Sequence, residues 1–401
     1  MSSKKILFIT NQLPYPPSTG GKLKSWNLVR FLSENYSLSL IYLLKENEKE
    51  DEEEMLSKLA LSSHYSEELN VKRNALNLIR SRLSADTLNV FRNRSKTFLL
   101  KTRELLKSND LVIVDHYEMY PYLKNSKGIK KILHEHNAEF CLWERMGRLE
   151  SSMIKRSVLL SEARRIEKAE KNYVKDSDLI WAAPNDIAAL QIKGENNSKF
   201  EYTYHLGDDK FITYPNIEFK DTELNIVFVG TQSWEANIDG LEWFFEKCWP
   251  LLKHEVPNIK FYVIGKDPQP RVTKFGRQDE QIIFTGFVED LEEYYSKTRV
   301  TIVPLRFGSG MKVKLLNSLF RGIPTVTTSV GAEGIEVEDG RDIYIKNDPK
   351  EFVDSILTLL MHQEVWEKFR DRSRELVHNK YTWKNLLSKH KKEIDDLMGW
   401  E

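Results

Sequence analysis

Cysteine is almost missing: Cys141 and Cys248 are the only two in 401 residues, far apart and without paired spacing. That argues against a disulfide framework and reads as two buried thiols in a reducing compartment. Neither sign of charge is in excess, with Lys plus Arg and Asp plus Glu at 60 each. No global field therefore points to nucleic acid or an acidic polymer, although a local basic face is left open. No run approaches the roughly 20 apolar residues that cross a bilayer. The opening MSSKKILFIT has too short an apolar run for a secretion signal. The expectation is a cytoplasmic protein, at most peripheral at the inner membrane surface. Several chemical motifs are missing as well. Gly21-Lys22 lacks the upstream glycine of a P-loop, and no Gly-x-Gly-x-x-Gly occurs. Asp208-Asp209 makes no Asp-x-Asp at a strand end. His134-x-His136 has no identifiable third ligand, so no metal site is read.

The length suits two domains, and an apolar content of 40% supports real cores. The run KILFIT, residues 5–10, reads as a buried parallel strand. An irregular loop with three prolines and Gly20-Gly21 follows, then a helix from Lys22 to Glu34. Residues 36–44 read as a strand, and 46–54 (ENEKEDEEE) as a solvated charge run. Residues 56–106 read mainly as helices rich in Arg and Lys. That basic face suits anionic lipid head groups or a phosphorylated acceptor; equally, it suits plain solvation. Two further strands end in Asp115-His116 and in His134-Glu-His-Asn137, so both ends point toward a binding site. A long charged helix is expected over 145–175 and a strand over 177–181. LNIVFVG, residues 224–230, repeats the opening pattern and starts a second doubly wound half. A helix over 241–252 should end at Trp249-Pro250, with strands at 259–265 and 282–285 after it. From Val353 the chain reads as helical to its end.

The most informative stretch is FGSGMKVKLLNSLFRGIPTVTT, residues 307–328. A buried strand precedes it, and Met311, Leu315, Leu316, Leu319 and Phe320 recur at helical spacing. Gly322 and Pro324 stop that helix. Gly308 and Gly310 admit close backbone approach, and the unpaired N–H groups of a first helical turn attract anions. Lys312 and Lys314 add positive charge. A nucleotide diphosphate fits such a seat, and an ordinary strand-turn-helix unit fits the same residues.

This segment resembles the donor-binding part of family 4 glycosyltransferases, which have the GT-B fold. The likeness extends to His136-Asn137-Ala-Glu139, to Pro184-Asn-Asp186, to Tyr214-Pro-Asn216, to Trp234 with Asn237, to Gly286-Phe-Val-Glu-Asp290 and to residues 329–334. It is strongest over 227–336 and weakest over 46–106.

The resemblance implies an α/β protein with two Rossmann-like domains facing a cleft. The expected bounds are an acceptor-side domain at 1–216, a linker at 217–223, a nucleotide-sugar domain at 224–380, and a helix at 381–401 returning to the first domain. It implies a retaining, metal-independent transfer of a sugar to a hydroxyl of a glycan or lipid-linked glycan, with no cofactor. The donor site is then Gly20, Gly21, Gly230, Trp234, Asn237, Gly286, Phe287, Ser309, Gly310, Met311, Lys312, Val313 and Asn317. Lys314, His116 and Asp115 take catalytic roles, while His136, Asn137 and Glu139 face the acceptor. The alternative for Asp115 or His116 is a helix cap.

The match breaks at two positions. Relatives carry two glutamates eight residues apart where this chain has Ser309 and Asn317. The second of these meets the ribose in relatives, and Asn317 can bond a ribose through its amide; on this reading Asn317→Ala weakens nucleotide affinity by about 1–2 kcal/mol, one lost hydrogen bond. The two changes also suit a non-catalytic GT-B subunit that binds a glycan or a partner enzyme. A sugar-nucleotide epimerase would need further acid and base carboxylates that the sequence does not place.

Overall fold

A computed structural model describes residues 4–191, 199–204, 206–308 and 310–400. The chain forms two compact units: Met1–His205 with Leu386–Glu401, and Leu206–Asn385.

The first unit is built on seven parallel strands in the order β3-β2-β1-β4-β5-β6-β7. They are β1 (Lys5–Thr10), β2 (Ser37–Leu44), β3 (Leu61–Glu68), β4 (Leu111–Asp115), β5 (Lys130–His134), β6 (Leu179–Ala182) and β7 (Phe200–Tyr202). Ile6 to Ile9 and Leu111 to Val114 are fully buried, as strands covered on both faces must be. The chain leaves β1 toward β2 and returns on the other side at β4, so the order reverses between β1 and β4. Ligands of open α/β sheets bind outside the carboxyl ends at such a reversal.

Three sequence expectations change in this unit. β3 falls inside a stretch read as helical. Its half-polar LSSHYSEE carries little strand signal of its own, and pairing with β2 decides it. The expected helix over 145–175 is two, Glu139–Leu149 and Met153–Asp176. Between them Glu150 Oε1 accepts from the Ser152 N–H at 2.9 Å, which holds the turn. The helix after β1 begins at Gly20, because Thr19 caps it by accepting from the Lys22 N–H.

The second unit has six parallel strands in the order β10-β9-β8-β11-β12-β13. These are β8 (Asn225–Val229), β9 (Lys260–Ile264), β10 (Ile282–Gly286), β11 (Val300–Val303), β12 (Thr325–Thr327) and β13 (Tyr344–Ile345). Here the reversal lies between β8 and β11. Pro250 does not end its helix. A π turn over Phe244–Cys248 precedes it, and Pro250 sits in the first turn of Trp249–Glu255, where a missing N–H costs nothing. The C-terminal helical stretch is interrupted at His362 and again at residues 381–382, giving Pro349–Met361, Gln363–Lys380 and Trp383–Met398.

Residues 207–217 belong to the second unit because their carbonyls are held there. Gly207 O accepts from Trp383 Nε1, Tyr214 O from Arg374, Pro215 O from Arg321 and Ile217 O from Arg370. The divide therefore precedes the boundary read at residue 216. Residues 386–401 pack on the first unit, where His390 stacks on Trp181 with centroids 4.0 Å apart. No helix among the described residues is long and apolar enough to cross a membrane.

Candidate functional sites at the two strand reversals

Each unit carries a polar centre at its reversal. In the first unit β1, β4 and β5 deliver Thr10, Asp115 and His134 side by side. Asp115 is fully buried and accepts from four side chains. His134 Nδ1 and His136 Nε2 reach Oδ1 at 2.8 and 2.7 Å; Thr10 and Ser25 hydroxyls reach Oδ2 at 2.8 and 2.7 Å. Burial pushes the Asp115 carboxyl up, but its electrostatic interactions with His136 and His116 and the hydrogen bonds from His134 and His136 outweigh it and hold the carboxyl well below its usual range. Burial also pushes His136 well below the usual imidazole value, and His134 down to about 3. The cluster is thus a carboxylate with two neutral imidazoles.

Asp115 supplies the third group that the sequence did not reveal for a His134-x-His136 metal site, and the three are grouped closely enough to hold an ion. Their contacts are hydrogen bonds, however. Two ligands each about 2.0–2.1 Å from a tetrahedral zinc stand roughly 3.3 Å apart, further than the 2.7 and 2.8 Å found here. Since Asp115 already accepts from four donors, the residues as arranged do not fit a metal.

His116 is the exposed member, with 18% of its side chain accessible. Its backbone φ of +75° is unusual for a residue with a side chain. The ring stacks on His136 at 3.8 Å and lies 3.3 Å from Gln12 Nε2. It caps no helix through its side chain. Gly21 belongs to the same place: a Cβ there would stand 3.6 Å from His136 Nδ1, and Gly20 starts that helix. Asp115, being buried, meets its surroundings through the two histidines and the two hydroxyls that donate to it. Glu139 is drawn elsewhere, accepting from Asn89 Nδ2 and Trp143 Nε1 at 3.1 Å each. Asn137, half-buried, connects it to His136. Sequence reasoning missed Thr10, Gln12, Ser25 and Lys24. Lys24 is buried, donates to Glu135 O, and is pushed down to about 8 by that burial. A polar residue just past a buried strand or inside the next helix was the only available signal.

In the second unit Lys314 is the focus. Its Nζ donates to Asn237 Oδ1 at 2.6 Å and lies 4.4 Å over the Phe228 ring. Asn237 Nδ2 donates in turn to Thr231 O at 2.7 Å. Gly230 makes room for both: a Cβ there would meet Lys314 Nζ at 2.7 Å and Asn237 Nδ2 at 2.8 Å. Burial, then the neighbouring charge of Lys312, pushes the Lys314 ammonium down to about 7. Gly286, with φ of +74°, accepts from the Gly265 N–H at 2.9 Å, so the ends of β10 and β9 meet here. Phe287 beside it is 74% exposed. In the loop before helix Val313–Arg321, Gly308 packs near the Trp234 ring, and Gly310 has φ of +70°. Met311 and Lys312 are buried, and Lys312 turns back to donate to Gly310 O. Ser309 lies outside the described residues.

Asn317 departs most from expectation. Its Oδ1 accepts from the Asp208 N–H at 2.9 Å, and a Cβ at Gly207 would stand only 2.0 Å from that oxygen. The side chain anchors the backbone of 207–208. Gln232 was not foreseen: fully buried, it donates to Gly265 O, and its Oε1 has no partner among the described residues.

Comparison with known proteins agrees with this architecture. Residues 223–362 match the family model described as glycosyl transferases group 1. A protein of the cps region of Klebsiella pneumoniae is 24% identical over 97% of this chain and 99% of its own. Sucrose-phosphate synthase from Thermosynechococcus elongatus superposes with a TM-score of 0.71 at 13% identity, over 99% of this chain and 100% of that one. HepE from Anabaena, solved with UDP and glucose, gives 0.66 at 12% identity over 98% and 100%. A TarM variant from S. aureus, solved with UDP among its ligands, gives 0.66 at 11% over 98% and 99%. The chain therefore has the GT-B fold, and most of its second unit matches the model of group 1 glycosyl transferases.

Proposed function

We propose that the protein is a family 4 glycosyltransferase that moves a sugar from a nucleotide diphosphate to a hydroxyl of a glycan or lipid-linked glycan in surface polysaccharide assembly. The carrying observation is the Gly230–Asn237–Lys314 cluster beside the start of helix Val313–Arg321. A diphosphate needs positive charge and oriented N–H donors where charge develops as the anomeric bond breaks. Lys314 and the first helical turn offer both without a metal. In the retaining course, the acceptor oxygen bonds to the anomeric carbon, the carbon–phosphate oxygen bond breaks, and the leaving phosphate takes the acceptor proton. His116 orients the acceptor hydroxyl, with His136 and Asp115 fixing its ring. The Klebsiella relative's cps region and the UDP bound to HepE and TarM support this reading.

The test is thermal unfolding with UDP, GDP, TDP, ADP and CDP, with and without magnesium. A ligand at about 100 times its Kd adds roughly 2.7 kcal/mol to stability. One nucleotide raising the midpoint without metal is the expected outcome. Silence across the panel favours the second reading, a non-catalytic GT-B subunit, for which the engagement of Asn317 with Asp208 is the specific support.

A further inference from the structure

The His116 ring has two nitrogens, and among the described residues only one of them meets a hydrogen-bond partner. Nε2 lies 3.3 Å from Gln12 Nε2. That Gln12 atom is the amide nitrogen, which can only donate. The ring nitrogen facing it must then be bare, and the single proton of a neutral imidazole is left on Nδ1. Asp115 does not hold a proton on Nε2. Its Oδ2 stands 3.7 Å away, too far for a hydrogen bond, and already accepts from the Thr10 and Ser25 hydroxyls.

The chain holds Gln12 in place from several directions. Asn11 Nδ2 donates to Glu118 Oε1 at 2.7 Å, which ties the loop after β1 to the segment after β4. Leu13, fully buried, anchors the other side. A Cβ at Gly21 would stand 3.8 Å from Gln12 Nε2 and 3.6 Å from His136 Nδ1, so the start of the next helix closes against the amide. Stacking on His136, at 3.8 Å and 20° between planes, fixes the plane of the His116 ring.

We propose that Gln12 is a positioning residue that keeps His116 as the tautomer protonated on Nδ1, so that His116 donates to the oxygen of a bound hydroxyl and does not act as a base. The identity of that hydroxyl rests on the proposed transferase reading; the tautomer does not. A bare outward nitrogen would draw off the acceptor proton. An outward N–H instead binds the hydroxyl oxygen and leaves its proton to the departing phosphate. The oxygen bonds to the anomeric carbon, the carbon–phosphate oxygen bond breaks, and His116 keeps its own proton throughout.

The full chain would be labelled with ¹⁵N in its histidine rings and studied by NMR at about pH 8, where an ordinary imidazole is neutral. His116→Asn assigns the signals. The expected spectrum shows a protonated Nδ1 and a bare Nε2 for His116. Gln12→Glu replaces the donor with an acceptor and should exchange the two positions, while Gln12→Met removes the partner and should give averaged ones. With the donor sugar that the nucleotide screen selects, Gln12→Glu should lower kcat about tenfold, the scale of one hydrogen bond, with the donor KM unchanged. A proton on Nε2 in the parent overturns the proposal, and that spectrum needs no variant to fold. So does a parent-like pattern in both variants, or an exchanged tautomer with kcat unchanged. Silence in the nucleotide screen with the expected tautomer removes the transferase reading and leaves Gln12 in its positioning role.

Discussion

The first unit seats a carboxylate at its strand reversal where the second seats an ammonium, and the two are satisfied to different degrees. Asp115 accepts from four side chains and is sealed from solvent. Lys314 has one hydrogen bond, to Asn237, beside Gly230 and the Phe228 ring, and an ammonium held near its titration point. A satisfied buried charge fixes a structure. A partly satisfied one is kept ready for a ligand that brings the missing charge. On the proposed function, the same sheet topology carries a structural charge in one half and a binding charge in the other. Substitutions at the two should part along that line, stability responding at Asp115 and affinity at Lys314.

The largest effect is expected at Asp115. Asp115→Ala leaves two imidazoles and two hydroxyls without their acceptor in a buried site, at a cost of about 3–5 kcal/mol to the first unit. Urea unfolding followed by tryptophan fluorescence measures it. A second unit that melts earlier as well would erase the contrast. Acid should act in the same sense. His134 is held at about 3, against about 6.5 in an unfolded chain. The folded form then binds fewer protons, so stability is lost as pH falls from about 6.5 toward 3. Asp115 adds a further loss below the ordinary carboxylate range, because its folded value is depressed. The first unit should be the first to lose structure on acidification.

Lys314→Met ranks next. It should weaken nucleotide diphosphate binding by about 2 kcal/mol, roughly thirtyfold, by removing a charge-assisted hydrogen bond. Stability should change by no more than about 1 kcal/mol, since the ammonium removed is one that burial already disfavours. Because free Lys314 titrates near 7 and a bound diphosphate favours its charged form, binding should take up a proton above that pH. Calorimetry in buffers of different ionisation enthalpy detects that proton. A binding enthalpy independent of buffer at pH 8 would remove Lys314 from the diphosphate site.

The strand-first halves, the glycine loop and the helix of Leu315, Leu316 and Leu319 were legible in sequence because each is local. Hydrophobic period and turn residues within about ten positions decide them. What escaped is set by distant partners. β3 is a strand only beside β2, and Pro250 is tolerated only because a π turn precedes it. Thr10, Ser25 and His134 converge on Asp115 from three other segments that no spacing rule joins. Gly230 showed the same limit from the other side. The resemblance names it for the donor site, but its reason for being glycine, room for Lys314 and Asn237, is a matter of packing.

Asn317 offers the smallest and sharpest test of the comparison. Read from sequence, it replaces a glutamate and offers its amide to a ribose, so its loss should show in affinity. In the structure its carbonyl oxygen is engaged by the Asp208 N–H and pressed against Gly207. That makes it a structural group of the second unit. Asn317→Ala should therefore cost the second unit about 1 kcal/mol of stability, the net value of one hydrogen bond with its donor left behind. Nucleotide affinity should fall by less than that. Paired thermal unfolding and calorimetry separate the two. A drop of about tenfold in affinity with an unchanged midpoint would return Asn317 to the ribose, because only a group idle in the free protein and engaged by ligand gives that pattern.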